Sequence, residues 1–147
     1  MSALHVVFKV GTAEYAMPAA DVLQMESYSG VTPVPGAPPF VAGVVQVRGR
    51  VLPLLDLRAR FGLGPGEDSI DRRIVVGQHD GRPVGLLVDS AREVLDISKE
   101  QLQPPPRMVL DEAKGLVKAV AQIGPRLLML LDFPKVIGQE ALDGSHE

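Results

Sequence analysis

The 147-residue sequence has no cysteine, no tryptophan and only 4% aromatic residues. Without thiols, disulfide staples and thiolate chemistry are excluded, so stability has to come from a packed core. Two Tyr and four Phe are too few for a base-stacking platform. The net charge of −3 and pI near 5.6 provide no basic face for nucleic acid. No apolar run approaches the roughly 20 residues that span a bilayer, so direct membrane insertion is not expected. The N-terminal MSALHVVFKVG lacks the basic start and long apolar stretch of a secretory leader, which points to a cytoplasmic location.

Catalytic groups are equally scarce. His5, His79 and His146 are scattered, and no His, Asp and Glu set has metal-ligand spacing. No Ser lies in a Gly-x-Ser-x-Gly elbow, and no glycine-rich loop could cradle a phosphate. The expectation is a protein that is not an enzyme, with no catalytic residue, metal or cofactor.

What the chain has in quantity is Val, Leu, Ala and Ile, within a 46% hydrophobic composition that favours strands. These residues are arranged twice. Gly43–Gly62 and Ala119–Gly138 match without gaps at an offset of 76, with identical pairs Gln46/Gln122, Arg50/Arg126, Leu54/Leu130, Leu55/Leu131, Asp56/Asp132 and Gly62/Gly138. Each copy reads as two strands joined by a tight turn, Arg48-Gly49-Arg50 in the first, where glycine accepts a positive φ. Asp56 and Asp132 then stand where a short helix needs an N-cap, and Gly62 where a helix ends in a left-handed residue. A weaker echo at offset 72 aligns Ala19/Ala91, Val22/Val94, Leu23/Leu95 and Met25/Ile97.

Each half therefore runs hairpin, strand, proline-rich loop, hairpin, helical turn. Five short strands in about 60 residues suit a small closed barrel. The expected organisation is one domain over 1–147, with a first barrel half at 4–64, a second at 70–138 and a polar tail at 139–147. Residues 64–68, Gly-Pro-Gly-Glu-Asp, mark the boundary between halves. A barrel this small cannot bury every strand on both faces, so apolar surface is expected between the halves or at a groove.

Arg48, Arg50, Arg58 and Arg60 form a basic cluster whose ordinary reading is a solvated face balanced by Glu67, Asp68 and Asp71. Arg50 has a repeat partner, Arg126, and reads as structural. Arg48 is replaced by Gly124 in the second copy, which makes it the better functional candidate.

These same residues carry a resemblance. EYAMPAADVLQM, then Val34-Pro35-Gly36-Ala37-Pro38 and FVAGVVQVRGRVLPLLDLRARFG, then VGLLVDSAREVLDI, a proline run and LLMLLDFPKVIG are similar to the CheW-type chemotaxis coupling proteins over residues 5–138. The resemblance implies a mainly β fold of two pseudo-symmetric five-stranded SH3-like β-barrels packed together, with short helices. It also implies a bacterial scaffold of a two-component system, coupling a methyl-accepting chemoreceptor tip to the regulatory domain of a CheA-type histidine kinase. Such a protein would be recruited to membrane-associated receptor arrays. The receptor tip would meet a groove between the barrels lined by Val22, Gln24, Gly43, Arg48 and Val88. Many relatives carry Glu at the position of Gln24. Three other readings are weighed: an adaptor for another output such as surface motility, an isolated CheA-type regulatory domain, and a nucleic-acid-binding small barrel. The second is disfavoured because no phosphoacceptor or ATP-binding domain precedes residue 1, and the third ranks last.

Overall fold

The computed structural model describes residues 2–66, 69–107 and 115–143. Eleven strands occur among them: β1 Ser2–Val10, β2 Ala13–Pro18, β3 Val22–Ser27, β4 Val41–Val47, β5 Arg50–Asp56, β6 Arg73–His79, β7 Arg82–Val88, β8 Ser90–Ser98, β9 Leu102–Gln103, β10 Val117–Ile123 and β11 Arg126–Leu131. Helix α1 is Leu57–Arg60 and α2 is Phe133–Asp143, with single 3-10 turns at Ala19–Asp21 and Lys99–Gln101.

The strands form two sheets, ordered β8-β1-β2-β11-β10-β9 and β3-β6-β7-β5-β4. This departs from the expected partition. Residues 4–64 and 70–138 do not each build a barrel. The hairpin β1–β2 leaves its own half and pairs with β8 and β11, while β6–β7 pairs with β3 and β5. The halves thus exchange their leading hairpins, and each unit contains strands from both. The two units remain copies: β3, β6, β7, β5 and β4 correspond in order to β8, β1, β2, β11 and β10. The short parallel contacts, β5 with β7 and β11 with β2, fall at matching places.

Burial explains the exchange. In β6, Ile74 and Val76 enter the interior of the first unit, whereas Val75 enters a core shared by both. In β1, Val7 enters the second unit, whereas Val6, Phe8 and Val10 face the shared core. These hairpins are apolar on both faces, as their unbroken runs VVF and IVV indicate, so each needs a sheet on either side. The shared core, including Phe8, Met17, Leu55, Leu57, Leu86 and Leu131, is the largest of three. Apolar surface expected to remain between the halves is consumed there. At about 1.5–3 kcal/mol for each large side chain buried, this core alone makes the units interdependent.

Local chemistry follows the repeat. The β4–β5 hairpin closes on Arg48 (φ 49°) and Gly49 (φ 82°), a pair of left-handed residues that matches the twist of the strands. Asp56 Oδ1 accepts from the Arg58 amide at 3.0 Å and caps α1, and Asp132 Oδ1 accepts from the Lys135 amide at 3.4 Å. Gly62 and Gly138 share left-handed φ values of 76° and 73°. At Gly138 the second helix is kinked, and it continues to Asp143, into the stretch expected to be a polar tail; residues 144–147 lie outside the described ones.

The weaker echo needs a correction of register. The exchanged hairpins align with Val10↔Ala13 on His79↔Arg82, which superposes Phe8 on Gly77. Ala91 pairs with Phe8 and Val22 with Gly77; Glu93 pairs with Val7 and Gln24 with Val76. Structurally, then, Val22 corresponds to Ala91 and Gln24 to Glu93, three residues away from the sequence echo. A bulge at the same place in both strands preserves the correspondence.

Separate fragments 1–66 and 67–147 should each lack a cooperative thermal transition, because each presents a hairpin with an uncovered face. Mixing them should restore one. Circular dichroism melts of the fragments and their mixture check this, and a cooperative transition in either fragment alone would refute it.

Candidate functional site

In the first unit β3 and β4 are the two edges of the sheet, and the segment that follows β3 returns to β4. Thr32 bridges to Val44 through two backbone hydrogen bonds, 3.0 and 2.8 Å. Beside this bridge lies a groove of about 520 Å³ between residues 26–32 and 44–48, with Ile74 at its floor. Glu26 and Arg48 line it, and Gln24 joins them through Glu26. Glu26 Oε2 accepts from Gln24 Nε2 at 2.9 Å and from Arg48 Nε at 3.2 Å. Arg48 keeps its side chain 73% exposed.

Of the five residues expected to line a receptor groove, the structure brings together Gln24 and Arg48. Val22 is half-buried against the shared core, on the opposite face of β3 from Gln24. Gly43 is buried, and a Cβ there would collide with the Thr32 carbonyl, so it holds the proline-rich loop against β4. Val88 is 1% exposed inside the shared core and does not line a groove. Its strand alternates between cores: Leu87 enters the first barrel and Val88 the joint interior. Glu26, which organises the surface, was missed; its alternation with Gln24 on β3 was the available signal.

Arg48 sits in a conformation that side chains disfavour by about 1–3 kcal/mol. Its counterpart Gly124 adopts φ 60° without that cost. The neighbouring arginines do not form one basic face. Arg58 forms a bidentate pair with Asp89, Nε to Oδ1 at 3.0 Å and Nη2 to Oδ2 at 2.9 Å. Arg60 donates to the carbonyls of Lys135 and Val136, each at 2.9 Å, and lies over the Phe40 ring. Arg126 engages two carboxylates, Glu14 Oε2 at 2.7 Å and Glu93 Oε1 at 2.6 Å. Arg50, its repeat partner, makes no hydrogen bond or ion pair with any described residue, which corrects its reading as structural. Its corresponding partners are Pro83 and Gln24 in place of Glu14 and Glu93, so both carboxylates are missing.

Two of the paired carboxylates, Asp89 and Glu93, are shifted. Burial alone would push the Asp89 carboxyl up, but the Arg58 guanidinium and the Gly11 amide, 2.7 Å from Oδ2, outweigh it and hold the carboxyl below its usual range. Hydrogen bonding to Arg126 likewise lowers Glu93. Among the described residues no group of three His, Cys, Asp or Glu could hold a metal, and no helix is long and apolar enough to cross a membrane.

A model of the CheW-like domain family matches residues 4–141. The chain belongs to the CheW-like family. The "Chemotaxis protein CheW" of Rhizobium meliloti is 33% identical over 135 residues, covering 92% of this chain and 87% of that protein. "Protein FrzA" of Myxococcus xanthus is 30% identical over 131 residues, covering 88% and 82%. Among solved structures, the scaffolding protein TtCheW from Thermoanaerobacter tengcongensis matches with a TM-score of 0.86 at 27% identity, covering 97% of this chain and 94% of that one. The mainly β, two-unit architecture is thus that of the CheW fold.

Asp89 supplies a pH test of the stitching between units. Its lowered carboxyl contributes stability that is present above the ordinary carboxylate pKa of about 3.9 and is lost as pH falls through the folded value. Asp89→Asn should cost about 1–2 kcal/mol at pH 7, discounted for partial exposure, and should flatten the loss of Tm below about pH 4. Thermal melts from pH 7 to pH 2 read both effects.

Proposed function

We propose that this chain is a non-catalytic adaptor in chemotaxis-type signal transduction, coupling a chemoreceptor's cytoplasmic tip to the regulatory domain of a CheA-type histidine kinase. The observation that carries this reading is the family match across nearly the whole chain, on a fold shared with a protein described as a scaffold. The adaptor would sit in the cytoplasm, held at receptor arrays by its partners. An adaptor works by coupling two binding free energies through one body, which requires that the two units move together. The shared core and the Arg58–Asp89–Gly11 stitch meet that requirement.

The polar surface of Gln24, Glu26 and Arg48 is our candidate for a partner contact. Three features support it: the strained backbone at Arg48, its exposure, and the glycine in the equivalent turn. A residue kept where the fold favours glycine is retained for what its side chain does. The similarity to FrzA favours a second reading, a chemotaxis-like pathway with another output, since the output is set by the kinase's other partners.

Calorimetric titration of the purified chain against a receptor tip and a kinase regulatory domain, each separately, tests the proposal. Saturable binding to both is expected, and binding to neither would refute the adaptor role. Arg48→Gly should leave stability unchanged or raise it by about 1 kcal/mol, while weakening at least one partner tenfold or more. A destabilised variant with intact binding would show that Arg48 is structural.

A further inference from the structure

The two barrels offer an internal comparison at one position. Arg126 opens β11 and is clamped by carboxylates from two strands. Its Nε and Nη2 donate to Glu14 at 3.2 and 2.7 Å, and its Nη1 and Nη2 donate to Glu93 at 3.2 and 2.6 Å. Both carboxylates are engaged bidentately, the arrangement that a planar guanidinium favours. Arg50 opens β5 at the matching register, Val47↔Arg50 against Ile123↔Arg126. There the scaffold presents the same guanidinium without either acid. Pro83 replaces Glu14, and Gln24 replaces Glu93. The nearby Glu26 is engaged by Gln24 and Arg48. Arg50 is exposed and makes no hydrogen bond or ion pair with a described residue.

We propose that Arg50 is an interaction site that takes an acidic side chain from a partner protein, which supplies in trans the carboxylate that Glu93 and Glu14 supply to Arg126 in cis. The occupant is argued from charge complementarity, with the second barrel as the template: at this register the fold already shows what a guanidinium binds. The inference rests on the adaptor reading and deepens it, extending the partner surface from Arg48 across the turn to Arg50. It also gives Gln24 a role. An amide there leaves Arg50 open to a partner, whereas a carboxylate would close it from within.

The test uses the full chain with a kinase regulatory domain and a receptor tip as separate titrants, at two salt concentrations. Arg50→Glu should weaken one of them tenfold or more and remove part of the salt dependence of its affinity, with an unchanged melting temperature. Gln24→Glu, which offers Arg50 an internal acid, should weaken the same partner several-fold without loss of stability. Wild-type binding to a partner, with Arg50→Glu binding equally well, would overturn the assignment and leave the adaptor reading standing. Binding of the wild type to neither partner would overturn both. If sedimentation showed that the wild type self-associates and Arg50→Glu does not, the occupant would be a second copy of this chain, and the partner assignment would fall.

Discussion

The hairpins β1–β2 and β6–β7 each bury apolar side chains on both faces, and the rest of the architecture follows from the need to cover them. A hairpin such as β6–β7, with Val75 and Leu86 facing one way and Ile74, Val76 and Leu87 the other, cannot sit on the outside of a barrel. It has to form a wall between two interiors. Two such walls, one from each half, laid against each other create the shared core. Each half then surrenders its hairpin to the other's barrel. The exchange makes the duplication cooperative: neither unit exists as a contiguous piece of chain, so disturbance at one reaches the other through side chains packed in common.

Polar contacts reinforce that union where the chain crosses between units. Asp89 lies between β7, in the first unit, and β8, in the second. It receives Arg58 from α1 and the Gly11 amide from the β1–β2 turn. Arg60 reaches from α1 to the carbonyls at residues 135 and 136 and covers Phe40, tying the two helical segments together. None of these arginines is a free surface charge. For a protein whose work is to bind at two places at once, a rigid relation between the units lets occupancy at one surface bias the other.

Much of this was legible in the sequence where the chemistry is local. The turn at Arg48-Gly49, the caps at Asp56 and Asp132 and the left-handed glycines at 62 and 138 each depend on a few adjacent residues, so an ungapped repeat displayed them. The hairpin exchange was not legible in that way. Pairing between β1 and β8, or β5 and β7, is a property of the whole chain, although the two-faced runs VVF and IVV carried a hint of it. The same distinction governs the candidate site. Gln24 and Arg48 are brought together only through Glu26, a contact between β3 and the β4–β5 turn, and whether Val88 faces a groove or a core depends on which interior its strand divides. The three-residue slip between β3 and β8 has a similar origin. Apolar residues recur in both strands, and only the pairing to Phe8 and Gly77 fixes which correspond.

A duplicated fold carries its own control experiment, because what both copies need to fold is expected in both. The Leu54/Leu130 and Leu55/Leu131 pairs are buried in both units and the aspartates cap in both, which marks them as requirements of the scaffold. Identity between copies is still not proof of a common role. Arg50 and Arg126 are the same residue at the same register, yet one is held by two acids and the other by none among the described residues. The difference lies in what faces them. Asymmetry is informative in the other direction at Arg48, where an arginine accepts a backbone conformation that its counterpart meets with glycine. Arg48 pairs with Glu26 of its own barrel and Arg50 with no described residue, and the two flank Gly49 at one end of that barrel. That end differs between the units in charge, since Arg126 in the second unit is paired with Glu14 and Glu93. The two barrels share one fold, but among the described residues only the second holds this guanidinium with carboxylates of its own.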